Sequence, residues 1–232
     1  MSLKDPKPPI LLLQWLDPDE IKEAAGPFRS FRKEVLIQYV ESTTRAEALA
    51  AIRQWLRDNS NAQFLYIGSH GNDRALGANP REYITWSELG NLLRKTQKPV
   101  VLWLGACDSR FAAAQWKRRK QKSALWVVGF QGKVLPTQLK RALSRLLRMT
   151  RIDNIIGADQ ELPLLRKILP RTLVTMQYPI CEKGYRTYRY VDVDRFPGEL
   201  GFTLTQYLDN PRKFGCGANL ARRKRSKRKH SH

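Results

Sequence analysis

Two residues of the chain combine a type and a position that could support nucleophilic catalysis. The apolar run FLYIG is followed, one serine later, by His70, and the apolar run VVLWLG is followed, one alanine later, by Cys107. His70 is the only histidine outside the last three residues. A thiolate is the reactive form of cysteine, and an imidazole beside it can take the thiol proton and later return it. The pair therefore indicates a cysteine nucleophile with a histidine base.

The position of both residues after strands supports this interpretation. In an open α/β sheet the carboxyl ends of parallel strands share one edge, where ligands bind, and neighbouring strands are about 4.8 Å apart. We therefore expect His70 and Cys107 on the same edge. The dipole of a helix predicted after Cys107 would favour the thiolate. Gly71 allows the backbone to approach a substrate closely, and its N–H could form an oxyanion hole with that of Cys107.

Each residue also has a simpler explanation. A lone cysteine at the end of an apolar strand is commonly a small buried hydrophobe, and a lone histidine commonly makes structural hydrogen bonds. The combined order is more specific than either residue alone: strand, Ser-His-Gly, helix, strand, Gly-Ala-Cys, helix.

The elements that must position these residues follow from hydrophobic patterning. Two Thr-x-x-Glu capping boxes, Thr44 with Glu47 and Thr85 with Glu88, predict the starts of two helices. Further helices are predicted over 109–119 and 135–151. The predicted strands cover 34–40, 62–68, 98–105, 123–130, 171–177 and the alternating segment 185–194.

Continuous apolar strands separated by helices predict an α/β fold, a mostly parallel sheet with helices on both faces. The length of 232 residues fits one large domain or two small ones; we assign one domain to 1–220, followed by a basic, disordered tail over 221–232. The segment PILLLQWL near the N-terminus is interpreted as packed on the domain. It is not interpreted as a secretion signal, because acidic DPDE follows it without a small-x-small cleavage site.

The two blocks FLYIGSHG and VVLWLGACDS resemble those of the caspase-like cysteine peptidases, which include caspases, metacaspases and separase. The chain is most similar to CHAT-type bacterial caspase-like domains, over roughly residues 33–180. The resemblance implies a caspase-like three-layer fold and an endopeptidase in which Cys107 attacks the scissile carbonyl and His70 transfers protons. It also implies chemistry without a metal or organic cofactor, a protein substrate, an activating partner protein, and a regulated bacterial defence or cell-death pathway.

The chain departs from this family in the pocket for the residue before the scissile bond (P1). Caspases carry Gln and metacaspases Asp two residues before the nucleophile, where this chain has Gly105. Glu41 and Asp108 are candidates for an acidic, substrate-binding group that would pair with a basic P1 residue. The simpler alternatives are that Glu41 is a surface acid beside a helix start and Asp108 an acid near a helix N-terminus.

Charge points to a second class of function. The chain has 42 Lys and Arg against 21 Asp and Glu, a formal net charge of +21, which favours polyanions such as nucleic acid. The alternative hypothesis is therefore a polyanion-binding module on a degenerate caspase-like fold, with Arg141, Arg145, Arg148 and the tail as its contact surface. A solvated basic surface would explain the same charge. The basic loop 117–122 is either a processing site or a solvent loop.

Cysteine usage and hydropathy argue against a disulfide-rich, a zinc-binding or a membrane-spanning protein. Three widely spaced cysteines do not form a disulfide framework, and the absence of any C-x-x-C pair argues against a zinc site. The apolar runs are shorter than the roughly 18–20 residues that span a membrane. These features predict a cytoplasmic protein without a membrane span.

Overall fold

The computed structural model describes residues 10–34, 37–58, 64–95, 101–119, 126–149, 172–182 and 185–192. The strands are β1 (Ile10–Trp15), β2 (Ile37–Ser42), β3 (Phe64–Gly68), β4 (His70–Gly71), β5 (Ala75–Gly77), β6 (Tyr83–Thr85), β7 (Val101–Gly105), β8 (Trp126–Phe130), β9 (Thr172–Glu182) and β10 (Tyr185–Asp192). The helices are α1 (Ile21–Ala24), α2 (Arg45–Asp58), α3 (Trp86–Lys95), α4 (Arg110–Arg119) and α5 (Pro136–Met149), with a 3-10 helix over Gly26–Lys33.

The main sheet has seven strands in the order β10-β9-β8-β7-β3-β1-β2. The five strands β8, β7, β3, β1 and β2 are parallel to one another. Strand β9 runs antiparallel to β8, and β10 runs antiparallel to β9. The predicted α/β class and the mostly parallel sheet are thereby confirmed.

Helices cover both faces of this sheet. Alternate strand residues on one face belong to a buried cluster with residues of α2, α3 and α4. On the other face the ring of Phe28 in the 3-10 helix lies 5.4 Å from that of Tyr66, which lies 6.5 Å from that of Trp103. Helix α5 packs beside this 3-10 helix and buries Leu139 and Leu143. Each such side chain contributes about 1.5–3 kcal/mol when fully buried, so both faces of the sheet stabilise the fold.

Both predicted capping boxes are present. The Thr44 Oγ1 accepts the Glu47 N–H at 3.3 Å, and the Glu47 carboxylate accepts the Thr44 N–H at 3.3 Å. The same exchange joins Thr85 and Glu88 at 3.2 and 2.8 Å. Hydrogen bonds from Thr44 lower the pKa of Glu47, and hydrogen bonds from Thr85 lower the pKa of Glu88. These pairs satisfy N–H groups that the first helical turn leaves without partners.

The N-terminal apolar segment lies deeper in the fold than the sequence indicates. It forms β1, which pairs with β2 on one side and with β3 on the other. Leu11, Leu12 and Leu13 are fully buried, as expected for a strand that is covered on both faces. The prediction of a packed terminal segment is confirmed, and its role as an inner strand is an additional finding.

A small antiparallel sheet, in the order β4-β5-β6, was not predicted. It lies between β3 and α3 along the chain, and β4 consists of only two residues, His70 and Gly71. Such short strands carry no detectable period of alternation.

The domain limits 1–220 and the tail 221–232 remain predictions, because the described residues end at Asp192. Across the described ranges, no helix is both long enough and apolar enough to cross a membrane.

Candidate functional site

The segments that carry His70 and Cys107 lie side by side because the strands before them are neighbours in the sheet. Strands β3 and β7 pair in parallel, with Gly68 opposite Gly105 at their carboxyl ends. One residue later the Ser69 N–H still donates to the Gly105 carbonyl at 3.3 Å. The chain segments that lead to His70 and Cys107 therefore leave the sheet together. The expectation of a shared edge is met.

The space around Gly71 shows how closely the histidine segment approaches the cysteine segment. A Cβ added at Gly71 would lie 2.6 Å from the Cys107 carbonyl oxygen and 2.8 Å from the Ala106 Cβ. These distances are shorter than any normal contact, so a side chain at Gly71 would push the histidine segment away from the cysteine segment. The backbones that carry the predicted oxyanion donors, the Gly71 and Cys107 N–H groups, are adjacent, and the oxyanion hole itself remains a prediction.

The turn that carries Cys107 is fixed by a buried serine. Ser109 is fully buried; its Oγ donates to the Leu104 carbonyl at 2.9 Å and accepts the Phe130 N–H at 3.0 Å. One hydroxyl therefore joins the end of β7 to the end of β8. Cys107 itself is a free, partly buried cysteine within this turn.

Asp108 fixes the same turn from the other side. Its N–H donates to the Gly132 carbonyl at 3.2 Å, and its Oδ1 accepts the Gly132 N–H at 2.8 Å. Asp108 has φ 50°, a left-handed conformation that is rare outside glycine. This exchange of hydrogen bonds stabilises the strained residue. One carboxylate oxygen of the proposed substrate-binding Asp108 is thus occupied by the backbone, and its role towards a substrate stays a prediction.

Glu41, the other candidate for substrate binding, lies on the edge strand β2, with β1 and β3 between it and β7. Its Oε1 is 2.8 Å from the Arg29 Nε and 3.0 Å from an Arg32 nitrogen, and it accepts the Tyr39 hydroxyl at 3.0 Å. Burial acts to raise the pKa of Glu41, but these three partners outweigh it and hold the pKa below its usual value. The structure therefore places Glu41 in a basic cluster, and does not bring it to Cys107.

The position two residues before Cys107 has no room for a longer residue. A Cβ at Gly105 would lie 2.5 Å from the Tyr66 hydroxyl, which is fully buried on the aromatic face of the sheet. Burial raises the pKa of Tyr66, so this hydroxyl is neutral.

His70 has an acidic partner that the sequence analysis missed. Its side chain is exposed, and its Nε2 lies 2.6 Å from the Glu20 Oε2. Glu20 follows β1, which is the neighbour of β3 in the sheet. A signal was present in the sequence, since DPDE comes directly after an apolar run. This signal would have pointed to Glu20 only if PILLLQWL had been predicted to form a strand beside β3.

A cavity of about 500 Å³ adjoins His70 on the side of the small sheet. Its lining includes Asp17, Asn79 and the exposed ring of Tyr83. A hydrogen bond joins the Asn79 amide to the Asp17 carboxylate. The cavity is large enough for one or two amino-acid side chains and lies next to the proposed base.

The basic segments lie only partly within the described residues. Residues 117–119 form the end of α4, so the predicted loop begins in a helix, and 120–125 fall outside the described ranges. On α5 the side chain of Arg141 is exposed, whereas those of Arg145 and Arg148 are outside the description. The polyanion hypothesis therefore stays a prediction. Among the described residues, no three His, Cys, Asp or Glu side chains come together as metal ligands.

Sequence comparisons do not assign the chain to a known group. No family model matches it, and no curated protein is significantly similar to it.

Proposed function

We propose that the protein is a cysteine endopeptidase of the caspase-like type, in which Cys107 is the nucleophile and His70 the base. The observation that carries the proposal is the contact between Gly71 and the backbone of Cys107. This contact supports the proposal because the segments that carry His70 and Cys107 are adjacent at the edge where α/β proteins bind ligands. The resemblance of the FLYIGSHG and VVLWLGACDS blocks to that family supports the same assignment.

The proposed reaction has two halves. His70 takes the Cys107 thiol proton as the sulfur bonds to the scissile carbonyl carbon, and the negative charge moves to the carbonyl oxygen. The C–N bond then breaks, and His70 gives its proton to the leaving amine. Water, deprotonated by His70, adds to the thioester; the C–S bond breaks, and the leaving sulfur takes the proton back from His70, which restores the enzyme. The N–H groups of Gly71 and Cys107 stabilise the oxyanion in both halves.

The substrate lies along the edge between the cavity and Cys107. The cavity beside His70 receives a side chain of the protein substrate, next to the ring of Tyr83. Gly105 and the neutral Tyr66 hydroxyl below it offer no charge at the position where metacaspases carry an acid. A basic P1 residue would pair with the second carboxylate oxygen of Asp108 or with the carboxylate of Asp17, which lines the cavity. No metal or organic cofactor takes part in this mechanism.

Activity is tested with a peptide library that varies the P1 residue. The Cys107→Ala and His70→Ala variants are expected to lose about 10³-fold or more of the wild-type rate. Cys181→Ala and Cys216→Ala are the matched controls, because each removes a thiol to which the proposal gives no role, and both should retain the wild-type rate. Circular dichroism of every variant checks that the fold is intact.

Equal rates for wild type and Cys107→Ala, or activity that survives complete alkylation of Cys107, would overturn the assignment. An activating protein is part of the proposal, since the resemblance places such domains in regulated bacterial pathways. The assay is therefore run with the pure protein and again in lysate of the source cells, with the same variants in both.

A further inference from the structure

The shortest polar contact of the described histidine joins it to a residue outside the proposed pair. The Glu20 Oε2 lies 2.6 Å from the His70 Nε2, a distance typical of a charge-assisted hydrogen bond. A carboxylate only accepts hydrogen bonds, so the proton of this contact lies on Nε2. In a neutral imidazole the other nitrogen, Nδ1, is then the proton acceptor.

The backbone around Glu20 is ordered by several hydrogen bonds. The Ile21 N–H donates to the Asp17 carbonyl at 2.9 Å, and the Ala24 N–H donates to the Glu20 carbonyl at 2.9 Å. The Asp17 side chain bonds to Asn79, which lies just before β6. Glu20 is therefore held between the end of β1 and the small sheet that begins at His70.

The sheet order explains why Glu20 meets His70. Strands β1 and β3 are parallel neighbours, so the segments that follow them leave the same edge side by side. Glu20 comes from the first of these segments and His70 from the second. The contact is thus set by the topology of the parallel sheet.

We propose that Glu20 is a positioning residue for His70, an inference that rests on the proposed peptidase function. Glu20 accepts the Nε2 proton and fixes the tautomer in which Nδ1 takes the Cys107 proton. When His70 becomes positively charged, the Glu20 carboxylate stabilises that charge. In the next step Nδ1 gives its proton to the leaving amine, and the Nε2 proton remains in place throughout.

A surface ion pair without a kinetic role is the competing explanation. The side chains of His70 and Glu20 are 55% and 46% exposed, and exposed ion pairs often contribute almost nothing to stability. The two explanations differ in what Glu20→Gln changes. A positioning residue changes the tautomer and kcat, whereas a surface ion pair changes neither.

The test compares Glu20→Gln with Glu20→Asp, and with Glu23→Gln as the matched control. Glu23 is an exposed acid on α1, the short helix that follows Glu20, with no described contact to His70. We expect Glu20→Gln to lower kcat by about 10- to 100-fold with KM changed less than twofold, since it removes orientation but no substrate contact. Glu20→Asp should recover part of the loss, and Glu23→Gln should match wild type.

The ¹⁵N chemical shifts of the His70 ring provide a readout that needs no substrate. In wild type they should identify Nε2 as the protonated nitrogen, and in Glu20→Gln the proton should be shared between the two nitrogens. His70→Gln assigns the signals, because the chain has three histidines.

Three results distinguish the positioning role of Glu20 from the proposed peptidase activity. If Cys107→Ala is inactive while Glu20→Gln keeps wild-type kcat and wild-type ring shifts, the positioning role is overturned and the peptidase assignment stands. A rise in kcat for Glu20→Gln would also overturn it, because Glu20 would then be holding His70 away from Cys107. If Cys107→Ala is as active as wild type, the proposed function and this inference fail together.

Discussion

The cysteine turn and the histidine segment are built in different ways, although they touch. The buried hydroxyl of Ser109 ties the Cys107 turn to the end of β8, and the exchange of hydrogen bonds between Asp108 and Gly132 ties it to the loop that follows β8. His70 lies on a two-residue strand and is exposed, and its side chain contacts another exposed side chain. The turn of the proposed nucleophile is thus held by buried and partly buried hydrogen bonds, whereas the side chain of the proposed base is held by a surface contact.

This difference indicates which half of the site can be adjusted. Displacing Cys107 requires breaking buried hydrogen bonds, and each such break costs about 1–3 kcal/mol. Displacing the His70 side chain requires only the loss of an exposed ion pair, which costs about 1 kcal/mol or less. An activating partner, if the proposed peptidase is regulated, would therefore act on the histidine side, where Glu20 and α1 are accessible.

The largest effect is expected where the two regions touch. Gly71→Ala places a methyl group 2.6 Å from the Cys107 carbonyl oxygen, so the two backbones must separate. A displacement of about 1 Å in a catalytic site costs about 100-fold in rate, and we expect a loss of peptidase activity of that order. Gly26→Ala is the control, because a methyl group at Gly26 would meet nothing within 4 Å.

The structural half of that prediction needs no substrate. Gly71→Ala should also lower the melting temperature, whereas Gly26→Ala should not. Wild-type activity and stability in Gly71→Ala would show that the contact between the two segments is not needed.

The second-largest effect is expected in the Cys107 turn, at Ser109. Ser109→Ala leaves the Phe130 N–H and the Leu104 carbonyl without their buried partner, so the free energy of unfolding should fall by about 1–3 kcal/mol. Urea denaturation measures it, with the exposed Ser30→Ala as control. A loss below about 0.5 kcal/mol would contradict the claim that this hydroxyl fixes the turn.

The smallest effect lies far from both regions, at Glu41. The Arg29, Arg32 and Tyr39 partners keep the pKa of Glu41 below its ordinary 4.5, so the folded state favours the ionised form. That stabilisation is present above pH 4.5 and is lost as the pH falls through the lower pKa of the folded state. Glu41→Gln should therefore reduce stability at pH 7 by less than about 1 kcal/mol, and the difference from wild type should vanish in acid.

Glu41→Gln also tests substrate binding. Because its carboxylate is paired with two arginines, the variant should keep the wild-type P1 preference. A loss of cleavage after basic residues would restore Glu41 as a substrate-binding residue.

The sequence predicted the parts of the molecule that depend on local pattern. The apolar runs before His70 and Cys107 form inner strands, and both Thr-x-x-Glu boxes cap helices as expected. The shared edge of His70 and Cys107 followed from one general property of parallel sheets. These features require only the order of residues along the chain.

The missed features depend on pairing between distant segments. Glu20 meets His70 only because β1 lies beside β3, and no local signal in PILLLQWL reveals its neighbours. The bond between Asp108 and Gly132 likewise joins two loops. The two-residue strand at His70 is too short to show alternation. Long-range contacts of this kind can be identified only once the fold is known.

The central claim, that Cys107 and His70 act as a pair, is tested most directly by the reactivity of one thiol. The rate of alkylation of Cys107 by iodoacetamide at neutral pH, followed by mass spectrometry of its peptide, is compared between wild type and His70→Ala. If His70 takes the Cys107 proton, the variant should react about 10-fold more slowly, with Cys181 and Cys216 unchanged. Equal rates for Cys107 in the two proteins would contradict the pair.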